Sequence, residues 1–168
     1  NIAFTGAYDR HLEIIHELQL VIDDTTAFIE KKLSTVDDFE LIEKNHDNLL
    51  YRSSVGLKIR LYGCDKLPFV QQLFFNNCSE AFAETFALQF GSINYAACEN
   101  EAAVFASAGV NYIPPFQREV VDVIERAKQA PLPALLQVND IKGIIHSHSN
   151  WSDGGFTIEE MAKAAISK

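Results

Sequence analysis

The spacing of hydrophobic and polar positions changes part-way along the chain. "HELQLVI" alternates, with Leu18, Leu20 and Ile22 on one face and Glu17, Gln19 and Val21 on the other, which predicts a half-buried strand. "FELIEK", "NLLYRS" and "GLKIRLY" predict three more strands, and the last sets Leu57, Ile59 and Leu61 against Lys58, Arg60 and Tyr62. "DDTTAFIEKKL" reads as a short helix, with Asp23 and Asp24 at its positive end and Lys31 and Lys32 at its negative end. The opening "NIAFTG" is strand-like too. A sheet backed by a helix is the expectation for this half.

From Leu67 the spacing becomes helical. "LPFVQQLFF", "SEAFAETFALQFG" and "ENEAAVFASAG" place aromatic or aliphatic residues three or four apart, and Gly91 and Gly109 stand where helix C-caps belong. The stripe of Phe82, Phe86 and Phe90 predicts core packing, not a platform for stacking bases. "NYIPPFQRE" cannot be helical through Pro114 and Pro115, so a rigid connector should precede the helix "EVVDVIERAK". "QAPLPALLQVND" reads as an extended linker with its own apolar anchors. The class expected is α+β.

Composition narrows the partners. The net charge is -9, the wrong sign for a surface that tracks a phosphate backbone, so strong DNA binding by this chain is not expected. Arg118, Arg126, Lys128 and Lys142 could contact phosphate, with a solvated face as the competing reading. Cys64, Cys78 and Cys98 form no C-x-x-C pair, which fits reduced thiols in a cytoplasmic protein, packed as small hydrophobes. No stretch is long and apolar enough to span a membrane. Because the chain starts at Asn1 inside a strand-like run, it is expected to be an internal fragment.

Near the C-terminus, "HSHSNWSD" holds candidate metal ligands. On a strand, His146 and His148 would share a face, and Asp153 could turn back toward them, giving at most three donors of mixed N and O type. Thr157 and Glu160 predict a capping box for a final helix.

The order of these pieces resembles a known family. "YIPPFQRE", a helix, a Pro-containing linker, "DIKGIIHSHSNWSDGG" and "TIEEMAKAA" resemble the junction between the thumb and the PHP (polymerase and histidinol phosphatase) domain of bacterial and archaeal family X DNA polymerases. Against the family pattern G-D-L-H-x-H-T-x-x-S-D-G, this sequence keeps Gly143, His146, His148, Ser152, Asp153 and Gly154. Ile144 replaces the acidic residue and Ser149 the threonine. In "GAYDRHLEIIHELQLV", Gly6, Tyr8 and Arg10 match the family's G-S-Y-R-R stretch, Glu13 matches a common family residue, and Ala7 replaces the serine. The two aspartates of D-I-D-I-L fall on Glu17 and Gln19, and the third, in "GLKIRLY", falls on Arg60, with Gly56, Ile59 and Leu61 in frame. The Gly-Ser step of the Y-F-T-G-S turn becomes Asn77 and Cys78.

The resemblance implies a nucleotidyltransferase-like palm over 1–63 (a mixed sheet with a helix), a mainly helical thumb over 64–131, a linker over 132–140, and the truncated start of a PHP (β/α) barrel over 141–168. It implies Mg2+ for polymerase chemistry and Zn2+ or Mn2+ for a PHP site that removes 3′ nucleotides or phosphates, with His146, His148 and Asp153 matching the first ligands. Gly6, Ala7 and Arg10 would be the remnant of the nucleotide-binding loop. A helix-hairpin-helix domain and fingers would precede this portion, and the remaining barrel would follow it.

The chemistry of the palm is another matter. Two-metal nucleotidyl transfer needs several converging carboxylates. A divalent ion about 4 Å from the Arg60 cation, at an effective dielectric of about 20, would be repelled by about 8 kcal/mol. No intact catalytic set is therefore expected at Glu17, Gln19 and Arg60. A register shifted by one or two would put Asp9, Glu13, Asp23 or Asp24 forward as ligands instead. Glu17 and Arg60 should approach as a partly exposed ion pair contributing no more than about 1 kcal/mol. Two functions remain open: a degenerate polymerase core that scaffolds a PHP phosphoesterase, or a stand-alone protein-interaction module without a DNA function. No tightly bound cofactor is expected. Ile158, Met161, Ala162, Ala165 and Ile166 of the last helix lack a barrel to cover them, so that helix should dock on the thumb, fray, or form a homodimer.

Overall fold

In the computed structural model, residues 1–143 and 145–167 are described. The substitution at Ile144 lies outside the described residues. The chain divides into two compact units, Asn1–Leu132 and Pro133–Lys168.

The first unit begins with β1 (Ile2–Thr5), one helical turn α1 (Gly6–Asp9), β2 (Leu18–Ile22), α2 (Thr26–Leu33), β3 (Phe39–Lys44), β4 (Asn48–Ser53) and β5 (Lys58–Tyr62). All the strands anticipated from alternation form, and only α1, too short to show a period, is additional. The sheet is mixed, in the order β1-β2-β5-β4-β3, with β2 and β5 parallel and the other pairs antiparallel. A parallel pair needs a crossover. Here α2 and the β3–β4 hairpin supply it. The Thr25 hydroxyl accepts from the Phe28 N–H to cap α2 at its start, and Lys31 and Lys32 occupy its last turn. Ile29 of α2 packs on Leu49, Tyr51 and Leu61, which covers the β4–β5 part of one face of the sheet.

The opposite face was expected to be the wet side of β2. Val21 is fully buried on it, and Leu50 of β4 is 6% exposed. Alternation assigns residues to faces but says nothing of a second layer, and here a second layer packs on β1 and β2 from this side.

That second layer is helical: α3 (Phe69–Asn76), α4 (Glu80–Phe90), α5 (Glu101–Ser107) and α6 (Val123–Gln129), with 3-10 turns at Tyr95–Ala97 and Pro115–Gln117. Phe82 and Phe86 are fully buried beside Phe74 and Phe105, and Phe90 packs against the same cluster, so the stripe is core. Gly109 adopts φ +68 just past the end of α5, the left-handed C-terminal position that glycine favours. Gly91 ends α4 differently, at φ -59, and there it is the close approach of the Ala87 carbonyl oxygen, 2.9 Å from where a Cβ would stand, that favours glycine. The helix expected from Glu119 starts only at Val123. Leu132 anchors the end of this unit on the helical core. Cys78 and Cys98 are buried, and burial pushes the Cys78 thiol up to about 12 despite the nearby Arg118 charge.

In the second unit, Leu135, Leu136 and Val138 are exposed, so of the linker's expected apolar anchors these three do not serve as such. Its helix α7 (Ile158–Ile166) has the anticipated capping box: the Glu160 N–H donates to the Thr157 hydroxyl, and the Glu160 carboxylate accepts the Thr157 N–H at 2.8 Å. No residue of α7 is buried. Among the described residues no helix is long and apolar enough to cross a membrane.

Candidate functional site

Gln19 stands directly opposite Arg60 across the parallel β2–β5 pair, and Glu17, two residues before Gln19, projects to the same side. The Arg60 guanidinium reaches Glu17 with Nε to Oε1 at 2.6 Å and Nη2 to Oε2 at 3.1 Å, a two-point fork on one carboxylate. Its remaining nitrogen, Nη1, donates to Asn48 Oδ1 of β4 at 2.7 Å and to Glu43 Oε1 of β3 at 3.3 Å. Gln19 Nε2 donates to Glu17 Oε1 at 2.9 Å. The side chains of Arg60 and Glu17 are 17% and 19% exposed, so the pair is partly buried and partly exposed.

Electrostatics follow from this geometry. Burial alone would raise the Glu17 pKa, but hydrogen bonds from Arg60 and Gln19 and the charges of Arg60 and Lys58 outweigh it, leaving the carboxyl below its ordinary value. The hydrogen bond to Glu17 raises the Arg60 pKa more than burial lowers it. A carboxyl with a lowered folded-state pKa stabilises fully above its ordinary value of 4.5, and the contribution fades as pH falls through the lowered folded value. Glu17→Gln should therefore be less stable than the parent chain at neutral pH, with the gap shrinking below about pH 4. Urea melts at neutral and acid pH test this. A gap of equal size at both would sink it.

This donor set does not fit a divalent ion. Both Glu17 oxygens are taken by a fixed cation, and the Gln19 amide presents its nitrogen to Glu17. The shifted-register ligands are dispersed: Asp9 accepts from Asn77 Nδ2 at 2.7 Å, Asp23 meets Asn1, Asp24 accepts the Thr25 N–H, and Glu13 is exposed. Among the described residues, no group of three or more His, Cys, Asp or Glu side chains is placed to hold a metal ion.

The Gly6, Ala7 and Arg10 loop is held from several sides. Gly6 has φ +68, and a Cβ there would meet Gln19 Oε1 at 2.0 Å, so both the backbone conformation and the close approach require glycine. Arg10 Nη1 is 2.8 Å from Glu119, and His11 stacks on Phe116. Asn77, fully buried at the end of α3, accepts from the Thr5 hydroxyl at 2.7 Å and the Gly6 N–H at 3.2 Å, while its amide nitrogen donates to Asp9 and Glu101. Glu101 in turn accepts from Arg118, whose side chain is fully buried among Phe74, Phe105 and Tyr112. Arg118 is thus removed from the candidate phosphate contacts, because the helical core closes over it. Lys128 pairs with Glu125 and Gln89, and Lys142 donates to the Asn139 carbonyl. Arg126 is exposed. The roles of Asn77 and Glu101 were invisible to motif reading except through the changed Gly-Ser step.

In the second unit His146 and His148 are not on a strand. His146 has φ +60, and its ring lies face to face with that of His148, centroids 5.0 Å apart. Asp153 does turn back, and His148 Nδ1 meets Asp153 Oδ1. That contact is the principal cause of the lowered Asp153 pKa. A carboxylate on Nδ1 leaves Nε2 as the free donor of His148.

A mixed five-stranded sheet with a crossover helix, followed by a helical layer, is an α+β arrangement compatible with a nucleotidyltransferase-like fold. No family model matches the chain. Over 69 residues, 41% of its length, the chain is 41% identical to the DNA polymerase/3'-5' exonuclease PolX of Bacillus subtilis (strain 168), and it covers 12% of that protein. Over this short stretch the chain is related to a family X polymerase.

Proposed function

We propose that the chain is a family X DNA polymerase-like palm (1–63) and thumb (64–131), joined by a linker (132–140) to the start of a PHP domain (141–168). In this reading it has lost nucleotidyl transfer and serves to position a PHP phosphoesterase within a longer protein. The observation that carries the proposal is the Arg60 guanidinium forked onto Glu17 at the centre of the sheet, where the resemblance puts metal-binding aspartates. The Bacillus relative is named for two activities, polymerase and 3'-5' exonuclease, and in this reading the first is the one lost. The net charge of -9 and the enclosure of Arg118 support weak DNA contact at most.

His146, His148 and Asp153 would form the partial PHP ligand set, which would hold Zn2+ or Mn2+ only weakly, because Asp153 is engaged on His148 Nδ1 and the described residues bring no three such side chains together on one point. The decisive experiment is primer extension by the purified chain on a primed template with Mg2+ or Mn2+. No template-dependent incorporation is expected. Incorporation above a no-protein control would overturn the proposal.

A further inference from the structure

Arg60 at the sheet centre and Arg118 in the helical core anchor two ion pairs, and a continuous set of contacts runs from one to the other. Glu17, forked by Arg60, also accepts from Gln19 Nε2 at 2.9 Å, which fixes one end of the Gln19 amide. The other end of that amide is set against Gly6. Thr5, the residue before Gly6, is the backbone partner of Gln19 across the β1–β2 pair, and a Cβ on Gly6 would stand 2.0 Å from Gln19 Oε1 and 2.7 Å from Gln19 Cδ. The Gly6 N–H in turn donates to Asn77 Oδ1. Asn77 Nδ2 continues to Asp9 and Glu101, and Glu101 holds Arg118.

The members of this set have little freedom to rearrange one at a time. Arg60 commits all of its guanidinium nitrogens to Glu17, Asn48 and Glu43. Gly6 is buried and holds φ +68, with the Gln19 side chain in the space that a Cβ would need. Thr5, Asn77 and Arg118 are fully buried, so a hydrogen bond lost among them is not taken up by bulk water. Close-packed groups of this kind pass a displacement on to their neighbours instead of absorbing it.

We infer that these contacts couple the two ion pairs, with Gln19 as the side chain that joins them. A change at the Glu17–Arg60 pair moves the Gln19 amide, Gln19 shifts the Gly6 peptide, and Asn77 passes the shift to Glu101 and Arg118. The helical layer thereby responds to whatever alters the sheet centre, a conformational device carried by side chains from β2, α3 and α5. The inference does not depend on the proposed function.

The test combines amide hydrogen exchange of the full chain with the NMR signal of the Arg118 Nε–H, which donates to the Ile113 carbonyl. The reference amide is Ile29 of α2, which donates to the Thr25 carbonyl and lies outside the set. Glu17→Gln removes the charge at nearly constant shape. It should speed exchange of the Gly6 amide at least about fivefold relative to Ile29 and displace the Arg118 Nε–H signal. In a Gln19→Ala chain the same substitution should change the Gly6-to-Ile29 exchange ratio less than about twofold and leave the Arg118 signal in place, because the joining side chain is gone. If Glu17→Gln does not fold, Arg60→Lys breaks the fork from its other end and gives the same comparison. Responses of equal size with and without Gln19 would overturn the inference. So would a uniform acceleration that includes Ile29, or an Arg118 signal that neither substitution moves.

Discussion

Arg118→Ala is expected to destabilise the first unit by about 3–5 kcal/mol, the range for breaking a buried ion pair by removing one partner. The side chain is fully buried, donates from Nε to the Ile113 carbonyl at 2.8 Å, and meets Glu101 at 2.5 Å. Its guanidinium carbon lies 5.3, 5.0 and 5.8 Å from the ring centres of Phe74, Phe105 and Tyr112. Truncation would leave Glu101, whose side chain is 11% exposed, with an uncompensated charge, and would strip three aromatic faces of their cation. Urea unfolding measures the loss. Removing Glu101 as well should recover part of it, because the stranded carboxylate is then gone. A loss below about 1 kcal/mol for Arg118→Ala would show that the pair contributes no more than a surface bridge.

Asn77→Ala is the second large effect, about 2–4 kcal/mol. It strips the buried Thr5 hydroxyl and Gly6 N–H of their common acceptor, and an unsatisfied buried group costs about 1–3 kcal/mol. Asp9 and Glu101 lose a donor at the same time. Asn77→Asp separates the two roles. It keeps the acceptor but places a third carboxylate beside Asp9 and Glu101, so like-charge repulsion should leave it less stable than the parent while the Thr5 and Gly6 hydrogen bonds persist. Hydrogen exchange at Gly6 gives a local readout: the amide should exchange faster in Asn77→Ala than in the parent. Unchanged exchange and stability would mean that Asn77 does not tie α3 to the β1–α1 loop. Because Arg118 and Asn77 share Glu101, their effects should not add.

Much of the first unit is legible in the sequence because its signals are local. Alternation in "HELQLVI" and "GLKIRLY" names the faces of β2 and β5, and parity alone puts Glu17, Gln19 and Arg60 on one side. The capping box at Thr157 and the return of Asp153 toward His148 are likewise set within a few residues. The sequence could not show that Arg60 also reaches Asn48 and Glu43, since those contacts require knowing that β4 and β3 lie on that side of β5. Nor could it show that Arg118 turns inward. A lone arginine after two prolines looks like a surface cation until aromatic rings from α3 and α5 and a carboxylate from α5 are placed around it.

The sequence by itself determined most of the elements, the face each residue takes, and that Glu17, Gln19 and Arg60 share one side of the sheet, because period, caps and residue chemistry act over a few positions. Tertiary structure alone decided that a second layer packs on β1 and β2, that Asn77 joins Thr5 and Gly6 to Asp9 and Glu101, and that His146 leaves the strand conformation expected of it. The first two depend on segments distant along the chain meeting in space. Hydrophobic spacing specifies that a face must be buried, while the identity of its cover is fixed only when the whole chain has packed.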